Sequence, residues 1–179
     1  KVVEARLRYL HQFVPYLQKF YQELSGENIP LRIIYRSLGY RWEEGVEKGL
    51  RKTREKVKEE EKEKGVTLFG PHRDEVIFLL QDREMRDFAS QGEKKKMAIS
   101  LRLAETSVVR SIYGKDVVVL VDDVFSELDK KRRALLWQKI KNENQVFLTT
   151  TEGEEIREFN NSYPFSFFRI ERGKIEKGE

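Results

Sequence analysis

Residues 117–129 read VVVLVDDVFSELD, and this stretch decides the fold. The run DVVVLV (116–121) is continuous and β-branched, as expected for a parallel strand buried on both faces. It ends in Asp122-Asp123. In open α/β sheets, ligands bind beyond the carboxyl ends of the strands. Magnesium takes one or two carboxylates and completes its shell with water and phosphate oxygens. Asp122 is therefore the candidate to hold magnesium through water, and Asp123 the candidate base or water-positioner. The same two residues also fit a solvated turn after a strand. A metal-dependent nuclease is a third reading. It is disfavoured because adjacent strand residues point to opposite faces unless the strand has ended.

Downstream, residues 129–142 read as a helix with Leu135, Leu136 and Ile140 inward, followed by QVFLTTT (145–151) as a buried strand. A short helix and a hairpin, FFRIER (167–172) turning at Gly173-Lys174, complete this end. Upstream, residues 93–113 place Met97, Leu101, Ala104, Val108 and Ile112 on one helical face, stopped by Gly114. Before it lie VTLFG (66–70) and VIFLL (76–80), read as strands around Gly70-Pro71-His72-Arg73-Asp74. This alternation implies an α/β fold with a mostly parallel sheet and flanking helices.

The helix at 93–113 is preceded by Ser90-Gln91-Gly92-Glu93. Ser90 with Glu93 three residues on makes a capping box. Gly92 lets a ligand approach the backbone. Lys94, Lys95 and Lys96 stand in the first turn, where the helix dipole is already positive, and a docked anion would offset that repulsion. The cap accounts for Ser90 and Glu93 but not for the lysines.

The first 64 residues have a different character. Val3, Leu7, Leu10, Val14, Leu17, Tyr21 and Leu24 form one helical stripe, with a kink expected at Pro15. Gly26 and Asn28 end that helix, and LRIIYRS (31–37) reads as a strand. A second helix is expected from Trp42 to Lys64 on the stripe Trp42, Val46, Leu50, Thr53 and Val57. Twelve of the fourteen residues from Arg51 to Lys64 are charged, with opposite signs three apart. Together these suggest an antiparallel helical arm with a strand at its turn. Arg32, Arg36 and Arg41 could form a basic face there, though a solvated face is the plainer reading. Residues 1–64 thus read as a helical lobe and 65–179 as an α/β head. His72 and Arg73 are candidates to contact DNA or nucleotide. A loop histidine that packs and an ion pair of Arg73 with Asp74 are the plainer readings.

Composition narrows the class. The chain has 179 residues, 39% hydrophobic and 37% charged, with a net charge of +4. It is no polycation, so any nucleic-acid contact must come from a local patch. It has no cysteine, which excludes disulfides and Cys-ligated metals and fits a cytosolic protein. No apolar run is long enough to span a membrane.

Asp122-Asp123-Val124-Phe125-Ser126-Glu127-Leu128-Asp129 resembles, position by position, the Walker B and D-loop text D-E-x-x-S-A-L-D of ABC-type ATPases. Ala89-Ser90-Gln91-Gly92-Glu93, with Ser90 thirty-two residues before Asp122, resembles their LSGGQ signature. Thr67-Leu68-Phe69-Gly70-Pro71-His72-Arg73-Asp74, the run LRLAE (101–105), and Asp where most such ATPases have Glu are similar to the RecF family within that class. Thr149-Thr150-Thr151 falls at the family's switch position, assigned here to Thr150 and Thr151. Over 1–64 the similarity is one of architecture only, part of an inserted lobe.

The resemblance implies an ATP- and Mg2+-dependent DNA-binding repair protein with slow turnover. Such proteins dimerise head-to-tail around two ATP molecules, recognise gapped or junction DNA and, with RecR, help load RecA. Carried over, Ser90, Gln91, Gly92 and Glu93 would meet ATP held by the other protomer. Asp122 and Asp123 would act in cis, Ser126 would lie in the D-loop, and Asp129 would sit at the dimer seam. It also implies a cytoplasmic, nucleoid-associated location. An SMC/Rad50-type head is disfavoured by the short lobe. A partner-binding module that docks RecR is the reading from a different class. No G-x-x-x-x-G-K-[ST] loop exists in the chain. With the start at Lys1, this leads us to expect a fragment that is inactive alone.

Overall fold

The computed structural model describes residues 1–37, 46–114, 117–141, 145–151 and 166–178. The chain forms two compact units, Lys1–Lys115 and Asp116–Glu179. Each is taken by itself.

The first unit opens with helix α1 (Val2–Ser25), which runs through Pro15 as one continuous element. Pro15 is exposed, so the carbonyl that loses its amide partner is open to water. Gly26 closes α1 in the left-handed conformation, its N–H donating to the Gln22 carbonyl. The buried stripe differs from the expected one. Phe13 and Phe20 join Val3, Leu17, Tyr21 and Leu24, whereas Leu7, Leu10 and Val14 are only half-buried. The aromatic rings carry more area, so the helix turns them inward.

Strand β1 (Leu31–Arg36) pairs antiparallel with β2 (Glu75–Leu80), which turns through Gln81-Asp82 into the two-residue strand β3 (Arg83–Glu84). Helix α3 (Met85–Phe88) then leads into α4 (Gln91–Tyr113). The main packing partner of α1 is α4, not α2 (Val46–Lys64). The antiparallel arm is therefore replaced by a core in which Phe13, Leu17, Phe20 and Tyr21 meet Leu31, Leu80, Met85, Met97, Ala104 and Val108. Truncating Leu17, fully buried here, would cost about 2–5 kcal/mol. Ile112, expected on the inner face of α4, is exposed near its end. Trp42 lies outside the described residues.

Two further expectations change. Residues 66–70 are not a strand, because the Glu61 carboxylate of α2 takes the Leu68 and Phe69 amides at 2.8 and 3.2 Å, leaving a loop. Arg32 and Arg36 do not form an open basic face. Arg32 pairs with Asp82 at 2.7 Å and Arg36 with Glu84 at 3.2 Å, which holds the β1–β2–β3 sheet edges together.

The second unit places β4 (Val118–Asp122) parallel to β5 (Gln145–Thr149), joined through α5 (Lys130–Ile140). A hairpin of β6 (Phe168–Glu171) and β7 (Lys174–Lys177) ends it. That hairpin turns at Arg172-Gly173, one residue earlier than expected, with both φ positive as a two-residue primed turn needs. Val121, Phe125, Leu128, Leu136 and Ile140 are buried. Burial of β4 on both faces does not hold: Val118 is 55% exposed, Leu120 75% and Phe147 of β5 53%. Two strands side by side present an outer face that nothing among the described residues covers. The class is α/β, with parallel pairing confined, among the described residues, to β4–β5. The short helix expected before the hairpin lies outside them.

Candidate functional site

The strand-end carboxylates sit at a corner built by three residues. β4 ends at Asp122, whose register partner on β5 is Thr149. The Thr149 hydroxyl donates to Asp122 Oδ1. The same hydroxyl accepts from the Asp123 N–H at 3.1 Å, and the Thr149 carbonyl accepts from that N–H too, also at 3.1 Å. Asp123 has left the strand, with φ of 50° in the left-handed region. Asp is one of the few residues that visit it at modest cost. Ser126 Oγ donates to the Asp123 carbonyl at 2.7 Å and closes the turn into the short 3-10 helix Phe125–Glu127. Asp122, Asp123 and Thr149 are all exposed. Because the strand ends here, pleat alternation no longer separates the two carboxylates. Among the described residues, however, no three His, Asp or Glu side chains gather where a metal could be held.

Asp129 caps α5: its Oδ1 accepts from the Arg132 N–H at 2.9 Å, and its other oxygen meets the Arg132 guanidinium. The Arg132 amide, followed by its charge, holds the Asp129 carboxyl below its ordinary range. Thr150 and Thr151 follow directly on Thr149. The triplet was visible in the sequence, but it is Thr149 that touches Asp122. Its place in the register, not its type, marks it out.

In the first unit, Ser90 is the N-cap of α4 and forms the full capping box. Glu93 Oε2 accepts from the Ser90 N–H at 2.7 Å and from the Ser90 hydroxyl at 2.6 Å. These two donations, the hydroxyl's first, keep the Glu93 carboxyl below its ordinary range. Lys94 and Lys96 also find a local account. Lys94 Nζ donates to the Arg86 carbonyl of α3 at 3.0 Å, and Lys96 lends its charge to Glu93. Gln91 is exposed, and a Cβ on Gly92 would meet nothing within 4 Å. Nothing among the described residues therefore requires that glycine, and the space over its backbone there is open to a ligand. Beside the cap, the Arg83 guanidinium stacks on the exposed Phe88 ring at 4.0 Å.

The loop of His72 and Arg73 is held from several sides. His72 Nε2 lies 3.2 Å from Thr67 Oγ1, and Arg73 Nε donates to the Thr67 carbonyl at 3.0 Å. Asp74 accepts from the Tyr35 hydroxyl, which also receives Arg6 at 3.4 Å. Arg73 and Asp74 thus face different partners, and the ion pair between them is not formed. Gly70 has φ of 140°, and a Cβ there would come within 2.9 Å of the His72 ring, so here the glycine is required. His72 and Arg73 remain exposed.

No family model matches the chain. The DNA replication and repair protein RecF of Geotalea daltonii is 34% identical over 180 residues, covering 97% of this chain and 49% of its own length. That of Bacillus velezensis is 34% identical over 189 residues, covering 99% and 49%. Among solved structures, that of the recombination mediator protein RecF with ATP, in the RecFOR pathway, superposes with a TM-score of 0.79 at 27% identity. It covers 99% of this chain and 46% of that one. The chain is a RecF homologue.

It spans about half the length of the RecF relatives it matches. The α/β architecture described above is that of the RecF ATPase fold. The RecF-like chain contains no helix, among the described residues, long and apolar enough to cross a membrane.

Proposed function

We propose that this chain supplies the signature-to-D-loop half of an ATP-gated DNA repair clamp of the RecF type. The observation that supports it most is the corner of Asp122, Asp123 and Thr149: two exposed carboxylates at the end of a parallel strand, one turned out of the strand. On this reading residues 1–64 are part of an inserted lobe, and 65–179 are the second half of the ATPase head.

Asp122 fits a magnesium ion that keeps most of its waters, because its carboxylate is exposed and, among the described residues, is held at one oxygen. When bound, ATP would supply the scissile phosphoanhydride, and its magnesium ion would offset the charge that develops on the phosphate oxygens. Asp122 holds the hydration shell, and Asp123 orients water and takes its proton. Ser90, Gln91 and Gly92 meet the γ-phosphate held by a second protomer, for which the Ser90 hydroxyl turns away from Glu93. Glu93 lies beside the same phosphate, and Thr150 and Thr151 sense its presence. Ser126 shapes the D-loop, and Asp129 lies at the dimer seam. His72 and Arg73 contact DNA or nucleotide. Slow turnover resets a dimer on gapped or junction DNA, where RecR docks and RecA loading follows, in the cytoplasm and at the nucleoid.

Without a G-x-x-x-x-G-K-[ST] loop the chain alone is inactive. An SMC/Rad50-type head and a module that only docks RecR are the alternatives. The test is ATP-dependent binding of gapped DNA by the full-length polypeptide carrying this chain, wild type against Ser90→Arg. The expected result is that ATP strengthens binding and that the variant loses this gain while its fold survives. If ATP changes nothing in the wild type, the clamp is wrong and the docking module takes its place.

A further inference from the structure

We infer that Thr149 is a positioning residue for both strand-end carboxylates. Its hydroxyl orients Asp122 and, in the same act, pins the backbone that aims Asp123. The inference rests on the ATPase reading above.

The geometry leaves little freedom. One hydroxyl has one proton and accepting lone pairs. The proton goes to Asp122 Oδ1, and a lone pair receives the Asp123 N–H at 3.1 Å. If the proton turned elsewhere, Asp122 would lose its one fixed contact. If the hydroxyl were absent, the Asp123 N–H would keep, among the described residues, only the Thr149 carbonyl, and a left-handed backbone at φ of 50° would lose one of its three ties, the third being Ser126 Oγ on the Asp123 carbonyl. Such a conformation persists only where its surroundings over-determine it. Serine offers the same two functions on a smaller side chain. Valine offers the same shape with neither. The residue also needs to sit opposite Asp122, which the parallel register provides. The chemistry needs both effects: a carboxylate held still enough to order the waters of a cation, and a neighbour aimed at the attacking water. Thr149 acts through Asp122 and Asp123.

A merely structural threonine at a strand end would alter stability and nothing else. The experiment therefore compares wild type, Thr149→Val and Thr149→Ser in the full-length polypeptide. It measures turnover against ATP concentration, equilibrium binding of a fluorescent ATP analogue, the thermal midpoint, and hydrogen exchange at the Asp123 amide. For Thr149→Val we expect kcat to fall about 10- to 100-fold, as for other groups that orient a metal's ligands. Nucleotide affinity and the thermal midpoint should hold, and the Asp123 amide should exchange severalfold faster. Thr149→Ser should restore both turnover and protection. Wild-type turnover in Thr149→Val overturns the inference and leaves the ATPase reading intact. So does Thr149→Ser proving as slow as Thr149→Val, since the methyl group would then be what matters. Should Thr149→Val not fold, Thr149→Ser with wild-type kcat and amide protection still supports the role, and a tenfold loss there refutes it. A wild-type protein that neither binds nor hydrolyses ATP would instead bring down the ATPase reading itself.

Discussion

The signature end and the strand-end corner are made on different scales. At the start of α4, Ser90 and Glu93 are three residues apart and satisfy each other, and Lys94 reaches back only to Arg86. At the end of β4, Asp122 and Asp123 are held by Thr149, 27 and 26 positions away on another strand. The first arrangement would survive in an isolated helix. The second exists only when the parallel pair has formed. A local device can be read, and altered, one residue at a time, whereas the corner behaves as a unit.

This contrast can be broken in graded ways. The largest effect should come from Asp123→Asn, which removes the candidate base while keeping the backbone hydrogen bonds. We expect turnover of the full-length polypeptide to fall about 100-fold or more with nucleotide affinity unchanged, measured by steady-state kinetics. An unchanged kcat would mean that Asp123 only shapes the turn. Ser90→Ala should be smaller in free energy and opposite in kind. It deletes the cap of α4 and should lower stability by about 1 kcal/mol in a thermal or denaturant melt. If instead Thr149→Val destabilised more than Ser90→Ala, the assignment of the two ends would be reversed.

The smallest effects should appear with pH. Glu93 and Asp129 both titrate below their ordinary values of 4.5 and 3.8, Glu93 through the Ser90 hydroxyl and Asp129 through the Arg132 amide. The unfolded chain takes up these protons first as pH falls. Their contribution is therefore present above the ordinary values and lost as pH drops through the folded ones. Tyr21 runs the other way. Burial, helped by Glu93 and Glu27, pushes its hydroxyl from 10.0 up to about 12. Its contribution is complete below pH 10.0 and disappears as pH rises towards about 12. Melting midpoints across both windows check this. Both variants Glu93→Gln and Asp129→Asn should flatten the acid side, and Tyr21→Phe the alkaline side.

Much of the fold was legible because its signals were local. The α4 cap, the Gly26 and Gly114 stops and the run ending in Asp122-Asp123 each declare themselves within a few residues. The failures share a cause as well. Residues 66–70 look like a strand until Glu61, several positions back, takes two of their amides. Helix α1 looks like one side of an arm until α4 proves the better partner for Phe13 and Phe20. For the site, the sequence offered three consecutive threonines. Only the register Asp122↔Thr149 selects among them. The two glycines in the recognised motifs divide in the same way. Gly70 is forced by its own loop through His72, whereas Gly92 is forced by nothing among the described residues.

Helix α2 carries a further consequence for how this protein can drift. Several of its charges pair along the surface, Arg51 with Glu47, Lys62 with Glu59 and Lys64 with Glu60. Each such pair contributes only about 0.2–0.5 kcal/mol and can be exchanged for another. Glu61 stands among them in composition but not in role, because its carboxylate clasps the loop that carries His72 and Arg73. The charges around it can therefore be exchanged at little cost, whereas a side chain at position 61 with no acceptor for those two amides would release the loop.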